Sequence, residues 1–393
     1  MTNQDSLVLS TANCRQGSKL KWVAIILFIV VVGSGLFLRF WPPFGGAISG
    51  ERLERMQASP NYRDGGFVNV LPHPPLAFLD VWGYFKEQFF GDQRRVPPSA
   101  IPVSALSPAL LKAQPALELR AIWFGHSSVY MELDGLRFFI DPVFSDYASP
   151  INGVGPKRSH PPPIGLTDLP RIDVVLISHD HYDHLDMHTI QYLASEGTRF
   201  LVPLGVGAHL EEWDVPKTQI TELDWWESTE IGGVTVICTP SQHYSSRGLF
   251  DYKATFWSSW AVTGSRHRVF YSGDSGFSDH FRSIGEQFGP FDLSIIKIGQ
   301  YGPGASWAHS HMDPEQAIEA HIAVKARRML PVSWATFNIA FHDWDEPIRR
   351  AVEAANEKNV ELVTPRVGDI VMAGRLFESH SWWEEGELHT DRR

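Results

Sequence analysis

Asp173-Val174-Val175-Leu176-Ile177-Ser178-His179-Asp180-His181-Tyr182-Asp183-His184 carries two signals in one short stretch. Up to Ser178 it is apolar and β-branched, the pattern of a buried strand. From His179 it reads H-x-H-x-D-H, a run dense in side chains that bind metals. A helix or a strand cannot turn all four to one side, so a tight loop around an ion is the expectation. A solvated polar turn is the plain alternative. Met187 to Ala194 then reads as a helix. The cluster therefore sits at the carboxyl end of a strand, where open α/β folds carry their sites.

Working outward, strands are expected at 119–124, 128–133 and 137–140, with Asp134-Gly135 as a hairpin turn between the last two. Further strands are expected at 199–203, 234–239, 255–262, 268–271, 293–298, 328–332 and 370–373. Helical patterns appear at 186–194, 279–288, 314–324 and 346–358. This alternation predicts an α/β protein with two sheets covered by helices on their outer faces. The hydrolase domain is expected at 118–374, after a Pro- and Gly-rich linker and wrapping extension at 40–117 and before a C-terminal tail at 375–393.

With 393 residues, 43% hydrophobic and 20% charged, the chain has a globular composition and ample length for a large core. A net charge of -11 argues against nucleic acid as a partner, which needs a basic face. The two cysteines, Cys14 and Cys238, exclude a disulfide framework and a cysteine-based zinc site. Any metal must be held by nitrogen and oxygen, and 17 histidines supply the nitrogen.

The stretch Trp22–Leu38 is free of charge, with Arg15, Lys19 and Lys21 before it and Arg39 after it. A single-pass signal anchor following a polar tail at 1–21 is the favoured reading. A cleaved secretory signal and a buried globular helix are the alternatives. The short tail favours an N-in orientation, which places the bulk of the chain outside the cytoplasm.

A catalytic zinc takes three protein ligands and keeps an open position. H-x-H-x-D-H supplies one more, which suggests two ions. His243, Asp274 and His342 each follow a predicted strand, so they are candidates for the remaining ligands. Taken alone, each would more often be an ordinary core or surface residue. Asp141 and His126 are candidates for orienting the ligands; a structural turn is the alternative for both. His311 stands before an expected helix start at Asp313-Pro314 and is a candidate for lining the site. Gln300 and Tyr301 are candidates for touching substrate.

In order along the chain, several motifs resemble the metallo-β-lactamase superfamily and, within it, the N-acyl-phosphatidylethanolamine-hydrolysing phospholipase D family. They include Phe124-Gly125-His126-Ser127-Ser128, Ile140-Asp141-Pro142, His179 through Asp186, Thr239-Pro240-Ser241-Gln242-His243, Ser272-Gly273-Asp274-Ser275-Gly276, His311-Met312-Asp313-Pro314-Glu315 and Trp334-Ala335-Thr336-Phe337. The resemblance implies a four-layered αβ/βα sandwich and two Zn2+ ions. His179, His181 and His243 would hold the first ion, Asp183, His184 and His342 the second, and Asp274 would bridge them. It makes Asp183, Asp274 and His311 the candidate catalytic residues.

The implied reaction is hydrolysis of N-acyl-phosphatidylethanolamine to N-acylethanolamine and phosphatidic acid by hydroxide generated at the metal pair. The implied partners are a phospholipid substrate, a membrane and a second copy of the chain. The chain departs from the family pattern in its N-terminal apolar run, at Gln300–Ala305 and at Asn338–Phe341. A related hydrolase of the same superfamily acting on another bond, a sugar lactone or another phosphodiester, is the alternative reading. A non-catalytic tethered binding protein is a third.

Overall fold

The computed structural model describes residues 41–72, 74, 78–302 and 304–384, together with 22, 25–29, 32, 33, 35 and 37. It contains two units, residues 1–44 and 45–393. In the first, the described positions from Trp22 to Phe37 are helical, and Trp22, Phe28 and Ile29 are 64%, 68% and 61% exposed. Among the described residues no helix is long and apolar enough to cross a membrane. The polar tail 1–21, the rest of the Trp22–Leu38 run and the last residues of the C-terminal tail, 385–393, lie outside the described residues.

The second unit holds two seven-stranded sheets. The chain builds them one after the other. The first sheet contains β1 (Arg120–Gly125), β2 (Ser128–Leu133), β3 (Leu136–Ile140), β4 (Val174–Leu176), β5 (Arg199–Pro203) and β6 (Ile220–Leu223). The second contains β7 (Ser228–Ile231), β8 (Val234–Thr239), β9 (Ser259–Thr263), β10 (Arg268–Tyr271), β11 (Phe291–Lys297), β12 (Ala326–Val332) and β13 (Glu361–Leu362). The chain then returns with β14 (Ile370–Met372) to flank β1, giving the orders β14-β1-β2-β3-β4-β5-β6 and β13-β12-β11-β10-β9-β8-β7.

Each sheet starts antiparallel and ends parallel. Strands β1 to β3 pair as hairpins, whereas β3 to β6 run parallel. Strands β7 to β10 are antiparallel, whereas β10 to β13 run parallel. Parallel neighbours need long crossovers, and helices 187–195, 280–288 and 314–323 lie in them. The hairpin between β2 and β3 turns through Asp134 and Gly135 with φ of 52° and 80°, the left-handed pair that a two-residue turn requires.

Period-two alternation decides which way each strand faces. Ala121, Trp123, Val174 and Leu176 join a core shared with Val236, Cys238, Val269 and Ile295 of the second sheet. The intervening Ile122, Phe124, Val175 and Ile177 point the other way and pack with Ile190, Leu193, Leu210 and Trp213. On the far side of the second sheet, Ile318, Ile348 and Ala351 complete the helical cover. The layers therefore run helix, sheet, sheet, helix, a mixed α/β sandwich.

Segments flanking this sandwich also enter its core. Met56 and Phe67, from the extension, are buried in the inter-sheet core. Trp382 and Trp383, from the C-terminal segment, are buried there too, with Trp382 stacked on Trp334 at 5.1 Å. Helix Gly207–Glu212 and strands β6, β7 and β13 are additions to the elements expected from periodicity. All four are short and carry little amphipathic pattern of their own.

Two buried histidines make stability depend on pH. His321 lies against Ser294 Oγ at 2.8 Å, and burial lowers its pKa to about 4. Burial lowers that of His280 to about 3. Both are neutral in the fold, whereas an unfolded histidine titrates near 6.5. Between about pH 4 and 6.5 the unfolded chain binds more protons, so folding stability is lost as pH falls through that window. The urea midpoint should drop from pH 6.5 to pH 4, and His321→Asn should flatten the slope; an unchanged slope in the variant would remove His321 from the account.

Candidate metal centre

The loops after strands of both sheets meet at one edge of the sandwich. His126 follows β1, Asp141 follows β3, His179 to His184 follow β4, His243 follows β8, Asp274 follows β10 and Gln300 follows β11. Short strands deliver these side chains and irregular loops aim them. His126, Asp141, Gln300, Ser333 and Ala335 all have positive φ, between 39° and 64°. Such backbone costs energy in non-glycine residues and persists where surrounding contacts over-determine it. His126 shows how: its N–H donates to Thr336 Oγ1 (2.6 Å), and its carbonyl accepts from Ser333 N–H (2.9 Å) and Trp123 Nε1–H (2.8 Å).

His179, His181 and His243 form one metal-competent group. His179 Nε2 lies 3.0 Å from His181 Nδ1, and His243 Nε2 lies 3.4 Å from the same atom. The hydrogen bonds on the far side of the rings fix the tautomers. Ser178 Oγ gives its single proton to Asp141 Oδ2 at 2.5 Å, so at 2.9 Å it accepts from His179 Nδ1–H. His243 Nδ1–H donates to the Ser310 carbonyl at 3.1 Å. In both rings this leaves the Nε2 lone pair facing the cluster, the arrangement metal-binding histidines use. Burial holds His179 and His243 well below the ordinary imidazole pKa, and neighbouring His184 and His311 respectively add to it. Both are therefore neutral ligands at pH 7.

Asp183 and His184 form a second group, and it is His126 that completes it. His184 Nδ1–H donates to Asp141 Oδ2 at 2.7 Å. Its Nε2 lies 3.3 Å from Asp183 Oδ2 and 3.5 Å from Asp274 Oδ1. His184 Nε2 and Asp274 Oδ1 are both buried without a hydrogen-bond partner. Unpartnered buried polar atoms are rare, and two facing one another fit a cation held between them. The electrostatics agree. Burial opposes the imidazolium of His184, but the Asp183 and Asp274 carboxylates outweigh it and raise its pKa well above the usual value. That negative potential is what a divalent cation would neutralise. Asp274 stays ionised despite its burial because Lys297 and His184 hold its pKa far below the ordinary carboxylate value.

His342 stands just outside this group. Its Nε2 accepts from Gln300 N–H at 3.0 Å and its Nδ1–H donates to the Asp343 carbonyl at 2.8 Å, so both ring nitrogens are engaged. His126 Nε2 instead reaches Asp183 Oδ2 at 2.8 Å, as does Gln300 Nε2–H. His311 stands beside Asp274 and His243. A cleft opens next to the centre, lined among others by Arg95, Lys157, Gln300, Ser333, Phe337 and His342. Tyr301 stacks on His342, with ring centroids 4.5 Å apart.

Lys297, Tyr271 and Asp180 escaped the sequence reading. Lys297 is buried at the end of β11, its pKa lowered to about 8 by burial against the opposing pull of Asp274. A lone lysine inside the apolar run Leu293–Ile298 was the available signal. Tyr271 O–H donates to Asp141 Oδ2 at 2.6 Å. Asp180 accepts from Ser246 N–H (3.0 Å) and Thr255 O–H (2.7 Å), pinning the metal loop to the second sheet's loops.

These positions fall in a region with known relatives. A β-lactamase superfamily domain model matches residues 136–334. The chain is 42% identical over 337 residues to an uncharacterised protein of Mycobacterium bovis, spanning 83% of this chain and 88% of that one. It is 37% identical over 267 residues to N-acyl-phosphatidylethanolamine-hydrolyzing phospholipase D 1 of Caenorhabditis elegans, spanning 64% and 75% of the two chains. A metallo hydrolase from Ignicoccus hospitalis superposes with a TM-score of 0.50 at 20% identity, over 66% of this chain and 99% of that one, which speaks for the fold alone.

Asp141→Asn removes an acceptor that orients His184 and Ser178, and should weaken metal affinity by roughly 10–100-fold in a competition titration with a chromogenic chelator. Unchanged affinity would show that Asp141 serves folding alone. Metal content separates the two histidines near Asp183: His126→Ala and His342→Ala should differ, and the variant with less bound metal identifies the fourth ligand of the second group.

Proposed function

Because the chain belongs to the metallo-β-lactamase superfamily, in the family that includes the nematode phospholipase D, and is a metal-dependent hydrolase, we propose that it is a dizinc phosphodiesterase acting on N-acyl-phosphatidylethanolamine at a lipid surface. The observation that carries the reading is the pair of adjoining ligand groups, His179–His181–His243 and Asp183–His184, with Asp274 between them. In this proposal the first group holds one zinc, and Asp183 and His184 hold the second, with His126 or His342 as its fourth group and Asp274 as the bridge. Two cations held there would lower the pKa of bound water toward neutrality and neutralise a phosphoryl group.

The chain's own residues supply preorganisation. Hydrogen bonds donated by the imidazoles to Ser178 Oγ, Asp141 and the Ser310 carbonyl set the rings before any ligand arrives, so little reorganisation is left for the reaction. Arg95 and Lys157 in the adjoining cleft suit the phosphate of a phosphodiester. Trp307 and Phe341, packed with centroids 5.3 Å apart, help keep water from the approach beside His311 and His342. Hydrolysis adds water oxygen to phosphorus, breaks the bond to the ethanolamine oxygen and returns a proton to that oxygen. The products are phosphatidic acid and N-acylethanolamine.

Localisation follows from the N-terminus in this proposal. The exposed apolar side chains between Trp22 and Phe37 support a segment that keeps the enzyme beside its lipid. The purified zinc-loaded chain should release N-acylethanolamine from vesicles containing N-acyl-phosphatidylethanolamine. Asp274→Asn should lower kcat/KM by well more than the roughly 100-fold that outer partners of metal ligands carry. Turnover of a lactone or β-lactam with none of the lipid would reassign the bond cleaved.

A further inference from the structure

Lys297 ends β11 with its side chain fully buried, and its Nζ lies 2.5 Å from His311 Nδ1 and 3.9 Å from Asp274 Oδ2. Set between that carboxylate and a ring nitrogen, the amine has N–H donors for both. The proton in the contact therefore belongs to Lys297, and His311 accepts at Nδ1. A neutral imidazole that accepts at Nδ1 carries its proton on Nε2. By residue type and by the closeness of their ligand atoms, within 4.8 Å of one another, His243, Asp274 and His311 would make a further metal triad. The Lys297 amine argues against it, since its N–H occupies the Nδ1 lone pair.

The rest of His311 is held as firmly. Its N–H donates to the Trp307 carbonyl at 3.0 Å, and its ring stands edge-on to His243 at 86° with centroids 5.0 Å apart. Its side chain keeps 12% exposure where those of His184 and His243 have none. Nε2, on the far side of the ring from Lys297, is thus the polar atom His311 has left to offer. A neutral N–H aimed at a developing negative charge stabilises it without having to lose its proton.

We propose that Lys297 is a positioning residue that keeps His311 out of the ligand set and locks it as the Nε2–H tautomer, donating to an anionic oxygen of the substrate. The substrate half rests on the phosphodiesterase reading; the tautomer does not. In zinc-loaded protein carrying 15N-histidine, the His311 signals, assigned by their loss in His311→Gln, should show a protonated Nε2 and an unprotonated Nδ1. Lys297→Met should mix the tautomers at unchanged zinc content and lower kcat on the lipid on the order of 100-fold with little change in KM. Lys297→Arg, which keeps charge and donors, should restore the wild-type pattern in part. A protonated Nδ1 in the wild type overturns the proposal, and so does loss of a zinc equivalent in His311→Gln. The wild-type spectrum stands even if Lys297→Met fails to fold. The expected spectrum with no lipid turnover leaves the tautomer lock standing and refutes the substrate reading.

Discussion

Four donors converge on the buried carboxylate of Asp141. Ser178 supplies its N–H and O–H, His184 its Nδ1–H and Tyr271 its hydroxyl. They come from the loop after β4 in the first sheet and from the last residue of β10 in the second, so one carboxylate joins the two sheets at the edge where the site lies. A buried carboxylate is tolerated when fully hydrogen-bonded, and charge-assisted bonds of this kind contribute about 1.5–3 kcal/mol each. Removing one partner would leave a buried charge short of a donor. The arrangement holds because all of its members are present, and His184 and Ser178 inherit their orientation from it.

From that anchor the rest of the centre follows by directionality. Ser178 spends its proton on Asp141, so it can only accept from His179. The Ser310 carbonyl can only accept from His243. Each far-side bond turns a lone pair inward, and the cluster becomes a set of converging acceptors with no donor of its own among His179 Nε2, His243 Nε2 and Asp274 Oδ1. Burying such a cluster is costly, and a bound cation would offset that cost. The raised pKa of His184 is one response to this surplus of negative charge, and the Lys297 amine stands 3.9 Å from Asp274 Oδ2.

Two sheets also explain why such a site can exist. Within either sheet, side chains alternate between faces and cannot converge. At the edge, loops from both sheets approach each other, and strained positions such as His126 and Gln300 bend side chains into the gap. The large aromatic core between the sheets, including Trp123 stacked on Trp334 at 5.4 Å, provides the rigid support that holds those positions in place. Strain at the rim and dense packing beneath it are therefore two sides of one design.

The sequence by itself determined the strand-then-cluster unit, because apolar β-branched residues and adjacent histidines act over a few positions. The hairpin at Asp134-Gly135, most strands and the amphipathic helices 280–288 and 346–358 are legible for the same reason: periodicity is local. His243 and Asp274 were placed by their position after strands, and the structure brings both to the His179–His184 loop. Other features belong to contacts between separate loops and elements of the chain. His126 beside Asp183, Lys297 against His311, the burial of Trp382 and the engagement of His342 by Gln300 leave no local pattern. Their partners lie on different loops, and only packing in three dimensions brings those loops together.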